Sequence, residues 1–229
     1  AAGSVASGHE AAARAVYGDL LSDADASAPV VHGATVGHLS LEPTDSAVAE
    51  AVAILTGPDA ERRRAAADFL RSGSVPGGAL APVWEGLAQM AFPARVQALD
   101  VLGRCGPAAA ERAILEQLVS GDESVRIAAA EALRHLGGEA SILPLVQRVC
   151  ASEPLSVEQE TARRALEQLG DSTLDRAFAA AYDRASGGER AVLLEALGSR
   201  GASTAVPLLL ETVGSADRSV RQAAVKALD

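Results

Sequence analysis

Metal-binding and nucleophilic side chains are sparse in this chain of 229 residues. Its histidines and cysteines are His9, His32, His38, His135, Cys105 and Cys150. His32 and His38 lie close in sequence with no cysteine nearby, whereas a zinc site needs three or four converging ligands. Two cysteines are also too few for a disulfide framework. The sequence therefore predicts no metal centre.

No motif of a recognisable enzyme class occurs in the sequence. No strand, glycine-rich loop and helix follow one another to form a phosphate cradle, and no serine lies in a nucleophile-elbow pattern. The glycine pairs Gly77-Gly78 and Gly187-Gly188 are typical of turns. We therefore expect a protein that is not an enzyme and that carries no cofactor.

The charge balance argues against a nucleic-acid partner. The chain has 20 basic and 30 acidic residues, which gives a net charge of −10. No basic stripe is present to displace counterions from a phosphate backbone. No apolar run approaches the ~20 residues of a membrane-spanning helix, and no signal peptide is visible. These features predict a cytoplasmic protein with no membrane insertion and leave a basic protein partner open.

A repeat organises most of the chain. Six anchor positions recur at intervals of 31 to 33 residues, each with leucine seven residues later and, in five of the six, alanine three residues later. The anchors are Arg63, Arg95, Arg126, Gln159, Arg190 and Arg221. A fixed period of this length is typical of a solenoid, in which each unit buries its apolar face by stacking on its neighbours.

Helical periodicity predicts a pair of helices in every repeat. The second helix of each pair carries the anchor, and we expect these helices at about 60–72, 93–105, 124–136, 157–169, 189–200 and 219–229. The first helices are expected at about 46–56, 77–90, 108–120, 139–151, 172–185 and 202–213. Residues 1–44 do not fit the repeat. They are expected to form an irregular segment with a short helix from Gly8 to Leu21 and an extended stretch from Val30 to Leu41.

The pattern from Asp122 to Leu133, Asp-x-x-Val-Arg-x-x-Ala-x-x-Ala-Leu, resembles the HEAT repeat. Its alanine-rich form is similar to the short bacterial repeats named after phycobilin lyases. The resemblance covers residues 45–229 and implies an all-α, right-handed α-α superhelix of about six helix pairs, a HEAT-type solenoid. Some hydroxylases with this repeat bind a di-iron centre through repeated His-Glu pairs, but here only His9-Glu10 has that form.

The resemblance also implies roles for residues within each repeat. Second helices are expected to line the concave face, and Asp and Arg of successive repeats to form a hydrogen-bonded ladder. The implied ladder residues are Asp59, Asp122, Asp217, Arg63, Arg126 and Arg221. The ladder lapses where Leu155 and Gln159 replace both partners, so regular stacking is most in doubt there.

Surface positions of the second helices carry the functional hypothesis. The fifth position after each anchor is acidic in the first three repeats and then changes sign, while the first position after two anchors is apolar. We expect these residues to form part of a groove for a protein partner with basic and apolar residues. The candidate partner-binding residues are Asp68, Val96, Asp100, Ile127, Glu131, His135 and Arg164. The alternative is that the acids are solvated and the apolar residues pack against adjacent repeats.

These observations favour a non-catalytic protein-binding scaffold or adaptor. A chromophore-binding subunit or chaperone similar to phycobilin lyases is a second interpretation, because the repeat subtype resembles theirs. A structural module of a larger chain is a third. The predicted last helix runs to Asp229 without a polar capping helix, so we expect a solenoid that is truncated at its C-terminus.

Overall fold

The computed structural model describes residues 2–42, 44–73 and 75–228. These residues form fourteen α-helices joined by turns and short 3-10 segments, and no strand occurs among them. The all-α repeat architecture expected from the sequence is confirmed. Asp229 lies outside the described residues.

The chain divides into two compact units, Ala1–Cys105 and Gly106–Asp229. Unit 1 contains α1 (Ala2–Ser22), α2 (Ala28–Ser40), α3 (Thr44–Leu55), α4 (Ala60–Ser72), α5 (Ala81–Glu85) and α6 (Phe92–Cys105). Each even-numbered helix packs against the helix before it, and α2, α4 and α6 lie side by side. Their apolar face is buried, with Ala66, Leu70, Ala98 and Leu102 fully enclosed.

Unit 2 repeats the same plan. It contains α7 (Glu111–Leu115), α8 (Glu123–Leu136), α9 (Ile142–Ala151), α10 (Val157–Gln168), α11 (Asp175–Arg184), α12 (Gly187–Ser199), α13 (Val206–Thr212) and α14 (Arg218–Leu228). The second helices α8, α10, α12 and α14 lie side by side, each packed against its own first helix. We call the surface of these four helices that faces away from their first helices the second-helix face of unit 2.

The first helices are less regular than the second ones. The expected helix at 77–90 is a 3-10 segment, the five-residue α5 and a second 3-10 segment, and the expected helix at 108–120 is broken around α7 in the same way. Pro82 lies in the first turn of α5, where its missing N–H costs nothing. Short helices of this kind depend on packing against their second helices.

The extended stretch expected from Val30 to Leu41 is wrong, because these residues form α2. Pro29 lies in its first turn, and the Thr35 hydroxyl donates to the Val31 carbonyl at 2.8 Å. Gly37 lets the Tyr17 ring of α1 pack directly on the helix. The β-branched residues lower helix propensity only slightly, so tertiary packing decides. Helices α1 and α2 thus add a seventh pair to the six expected.

Candidate functional site

The anchor side chains hold the turn that precedes their own helix. Arg126 donates from Nη1 to the Ser120 carbonyl at 2.8 Å, and Arg221 donates to the Ser215 carbonyl at 2.7 Å. Arg63 donates to the carbonyl of Gly57 at 3.0 Å. Each bond satisfies a carbonyl near the end of the first helix, so the anchor is a structural residue.

The expected Asp–Arg ladder between repeats is wrong for the described residues. Asp59, Asp122 and Asp217 instead cap the N-termini of their own helices. The Asp122 carboxylate accepts from the Val125 N–H at 3.1 Å, and the Asp217 carboxylate accepts from the Ser219 N–H at 2.8 Å. A short acidic side chain at this position satisfies an amide that the helix leaves unpaired.

Stacking persists at the repeat where both ladder partners are missing. The Gln159 amide donates to the Val149 carbonyl at 3.1 Å, and its oxygen accepts from the Leu155 N–H at 3.0 Å. Beside it, Glu158 accepts two hydrogen bonds from Arg126, at 2.6 and 2.9 Å. These contacts hold α10 against α8 and α9, whereas α10 packs less closely against α12 on its other side.

In unit 1, the candidate acids form ion pairs within the chain. Asp68 on α4 and Asp100 on α6 both bind the guanidinium of Arg71. His32 of α2 places Nε2 3.3 Å from the Asp68 carboxylate. Val96 is half-buried on α6. The structure therefore brings Asp68 and Asp100 together around one shared arginine.

In unit 2, four candidate residues lie on α8 and α10. Glu131 pairs with Arg134 one turn later, and the half-exposed His135 ring lies 4.0 Å from the same carboxylate. Ile127 is half-buried on α8. Arg164 is exposed and reaches Glu160 on its own helix at 3.4 Å. Glu131 and His135 are neighbours, whereas Arg164 belongs to the adjacent helix.

The sequence analysis missed the cations that neutralise these acids. Arg71 and Arg134 each lie eight residues after an anchor, which is three residues after Asp68 and Glu131. Residues three apart on a helix are neighbours, so this spacing was the available signal. Arg163, which pairs with Glu195 of α12, lies four residues after its anchor, whereas the repeat pattern predicts exposure at the fifth position.

A groove of about 330 Å³ crosses the second-helix face of unit 2. One wall consists of Leu155 and the α10 side chains Gln159, Glu160, Arg163 and Glu167. Helix α12 supplies Glu195 and Ser199, and α14 supplies Lys226 and Ala227. We call this site the α10 groove.

Leu155 lies at the end of the groove nearest the start of α10. Its side chain is 98% exposed, and its φ of +62° is in the left-handed region. That conformation costs an L-residue about 1–2 kcal/mol, and an exposed leucine recovers no burial energy. Neither the fold nor the turn accounts for a leucine here.

The repeat pattern has a counterpart among known families. Residues 80–167 match the family model for HEAT repeats. A search of curated proteins gives no significant match.

The chain is also similar to solved structures, among them a designed armadillo repeat protein. An engineered protein is 21% identical over 79% of this chain and 94% of its own, with a TM-score of 0.43. A designed armadillo repeat protein is 18% identical over 80% of this chain and 100% of its own, with a TM-score of 0.43. Human deoxyhypusine hydroxylase in complex with glycerol is 20% identical over 90% of this chain and 80% of its own, with a TM-score of 0.38. These scores are too low to carry an argument about function.

The thiols and the side chains that could bind a metal have the following surroundings. Burial raises the pKa of the Cys105 and Cys150 thiols, which lowers their thiolate fraction. Within the residues that the structure describes, no group of three or more His, Cys, Asp or Glu side chains is placed to hold a metal ion. None of the described helices is both long and apolar enough to cross a membrane.

Proposed function

We propose that the chain is a non-catalytic protein-binding scaffold and that a partner docks on the second-helix face of unit 2 at the α10 groove. Leu155 is the observation that carries this proposal. It combines an unfavourable backbone conformation with an exposed aliphatic side chain at the end of a groove. Burial of that side chain by a partner would recover about 1.5–3 kcal/mol.

The surroundings of Leu155 support a protein partner rather than a small apolar ligand. Leu155 and Ala227 are the apolar side chains among those that line the groove, whereas small-molecule sites are mostly apolar and enclosed. Ile127, Glu131 and His135 on the adjacent α8, and Arg164 on α10, extend the surface available to a larger partner. Protein interfaces combine apolar anchors with a polar rim of this kind.

The candidate residues of unit 1 form a separate proposal. Asp68, Val96 and Asp100 belong to the second helices α4 and α6, and we propose that they too contact a basic and apolar partner. Charge reversal at both acids, Asp68→Lys with Asp100→Lys, tests this separate proposal. Unchanged affinity for a captured partner would rule it out.

A site-specific cross-linking experiment tests the main proposal. A photoreactive amino acid at position 155 should capture a partner in the native cell, and the same group at Val119, which is 82% exposed, should not. The purified partner should then bind Leu155→Asn at least about tenfold more weakly than wild type, a loss of about 1.4 kcal/mol. Val119→Asn is the matched control. Equal affinity of Leu155→Asn and wild type would contradict the proposal.

The chromophore-binding interpretation stays a prediction. Mixing the protein with tetrapyrroles and recording the absorbance spectrum tests it directly. A shifted bilin spectrum would favour that interpretation over the scaffold.

A further inference from the structure

The acidic and basic side chains that line the α10 groove differ in how many ion pairs they form. Arg163 pairs with Glu195, and Lys226 places Nζ 3.7 Å from the same carboxylate. Both cations of the lining therefore share one acid. Glu167 has no ion pair among the described residues, and Glu160 has only the exposed pair with Arg164. Three acids and two cations line the groove, so the net charge of its lining is −1.

The two remaining carboxylates have a defined spacing. Glu160 and Glu167 are seven residues apart on α10, so they share one face of the helix and are separated by about 10 Å along its axis. Three residues of a polyproline II segment rise about 9 Å. Two cations three residues apart in such a segment therefore match the two acids.

Leu155 fixes the order of contacts along the groove. It precedes α10, so Leu155, Glu160 and Glu167 follow one another in the direction of the helix. A ligand running along α10 meets an apolar contact at one end and carboxylates beyond it.

From this arrangement, and resting on the proposed function, we infer that the α10 groove binds an extended protein segment with one aliphatic side chain followed by two cationic side chains three residues apart. The aliphatic side chain packs on Leu155, and the cations pair with Glu160 and Glu167. A nucleic acid does not fit, because the net charge of the groove lining is negative and a phosphate backbone needs a basic surface.

Fluorescence anisotropy with labelled proline-rich peptides and the full chain tests this inference. The probe carries one leucine followed by two lysines three residues apart. Matched peptides replace both lysines by glutamate, replace the leucine by serine, or place the two lysines side by side. The probe should bind more tightly than all three, and its affinity should fall as salt is added. Failure of the probe to bind, or equal binding of the glutamate peptide, would overturn the inference.

Protein variants locate the contact. The double variant Glu160→Gln with Glu167→Gln should bind the probe about three- to tenfold more weakly, since each exposed ion pair contributes modestly. Glu139→Gln with Glu211→Gln carries the same net charge, and both residues are exposed outside the groove, so it should bind like wild type. Equal losses in the two double variants would indicate unspecific attraction and overturn the inference.

The native partner separates this inference from the proposed function. A partner that requires Leu155 but tolerates both glutamine substitutions would refute the basic segment and leave the scaffold standing. A partner that tolerates Leu155→Asn would refute the scaffold site itself.

Discussion

Glu158 holds two arginines from two neighbouring helices. Its carboxylate accepts from Arg126 of α8 and lies 3.0 Å from Nε of Arg148 of α9. The hydrogen bond from Arg126 lowers the pKa of Glu158, against the opposing effect of burial and with help from the charge of Arg148. The same hydrogen bond raises the pKa of Arg126.

Glu158→Gln should lower the free energy of unfolding by about 2–3 kcal/mol at neutral pH, because two partly buried arginines lose their counter-charge. The pKa of Glu158 is lower in the folded than in the unfolded state, so its contribution is present above about pH 4 and is lost as the pH falls through the folded value. Urea unfolding at neutral and acidic pH should show that the difference in unfolding free energy from wild type shrinks on acidification.

The control is Glu160→Gln, at an exposed neighbour. Its free energy of unfolding should stay within about 0.5 kcal/mol of wild type at both pH values. A difference that grows on acidification would contradict the assignment.

Leu155 can be tested for stability apart from binding. Leu155→Asn should leave the free energy of unfolding unchanged or raise it by up to about 1 kcal/mol, since asparagine tolerates the left-handed region. Thermal and denaturant unfolding measure the change. A clear loss of stability would show that the leucine is needed by the fold rather than by a partner.

At the scale of the elements, the close packing of α12 on α14 depends on one glycine. A Cβ on Gly198 of α12 would lie 2.6 Å from Cα of Ala227 on α14. Gly188, in the first turn of α12, has open space at the same position. The two glycines therefore separate a packing effect from a helix-propensity effect within one helix.

Gly198→Ala should lower the free energy of unfolding by about 1–3 kcal/mol through overpacking. Gly188→Ala should be neutral or slightly stabilising, because alanine favours the helix over glycine. Denaturant unfolding of both variants gives the comparison. Equal effects of the two substitutions would show that α12 and α14 are not in close contact.

At the scale of the whole molecule, the main contacts between helices join elements of the same unit. Stability in such a chain is carried by local interfaces, so damage in one place spreads over a short range.

Hydrogen exchange of Gly198→Ala should therefore reveal a local effect. Amides of α12 and α14 should exchange faster than in wild type, while those of α4 and α6 should keep their protection. Mass spectrometry of peptides from the two units measures both. Uniform acceleration across the chain would show that it unfolds as one cooperative block.

Local sequence patterns were enough to predict the second helices. Their bounds differ from the expected ones by at most two residues, because alanine and leucine at fixed helical spacing mark the buried face directly. Helix α2 escaped prediction because β-branched residues and glycines are weak helix formers, and its packing on Tyr17 at Gly37 is a contact between separate elements. The candidate residues lie on second helices as expected, but the ion pairs of their acids were not predicted. Their role in binding stays a prediction.

The sequence by itself determined the period and the buried face, since these depend on residues close together in the chain. Only the tertiary structure decided which charged side chains form ion pairs between helices. Asp100 pairs with Arg71 of the preceding second helix, and Glu195 is shared by Arg163 and Lys226. These partners come from different repeats, and a shift of one residue along a helix turns a side chain by about 100°, which moves it from one neighbour to another.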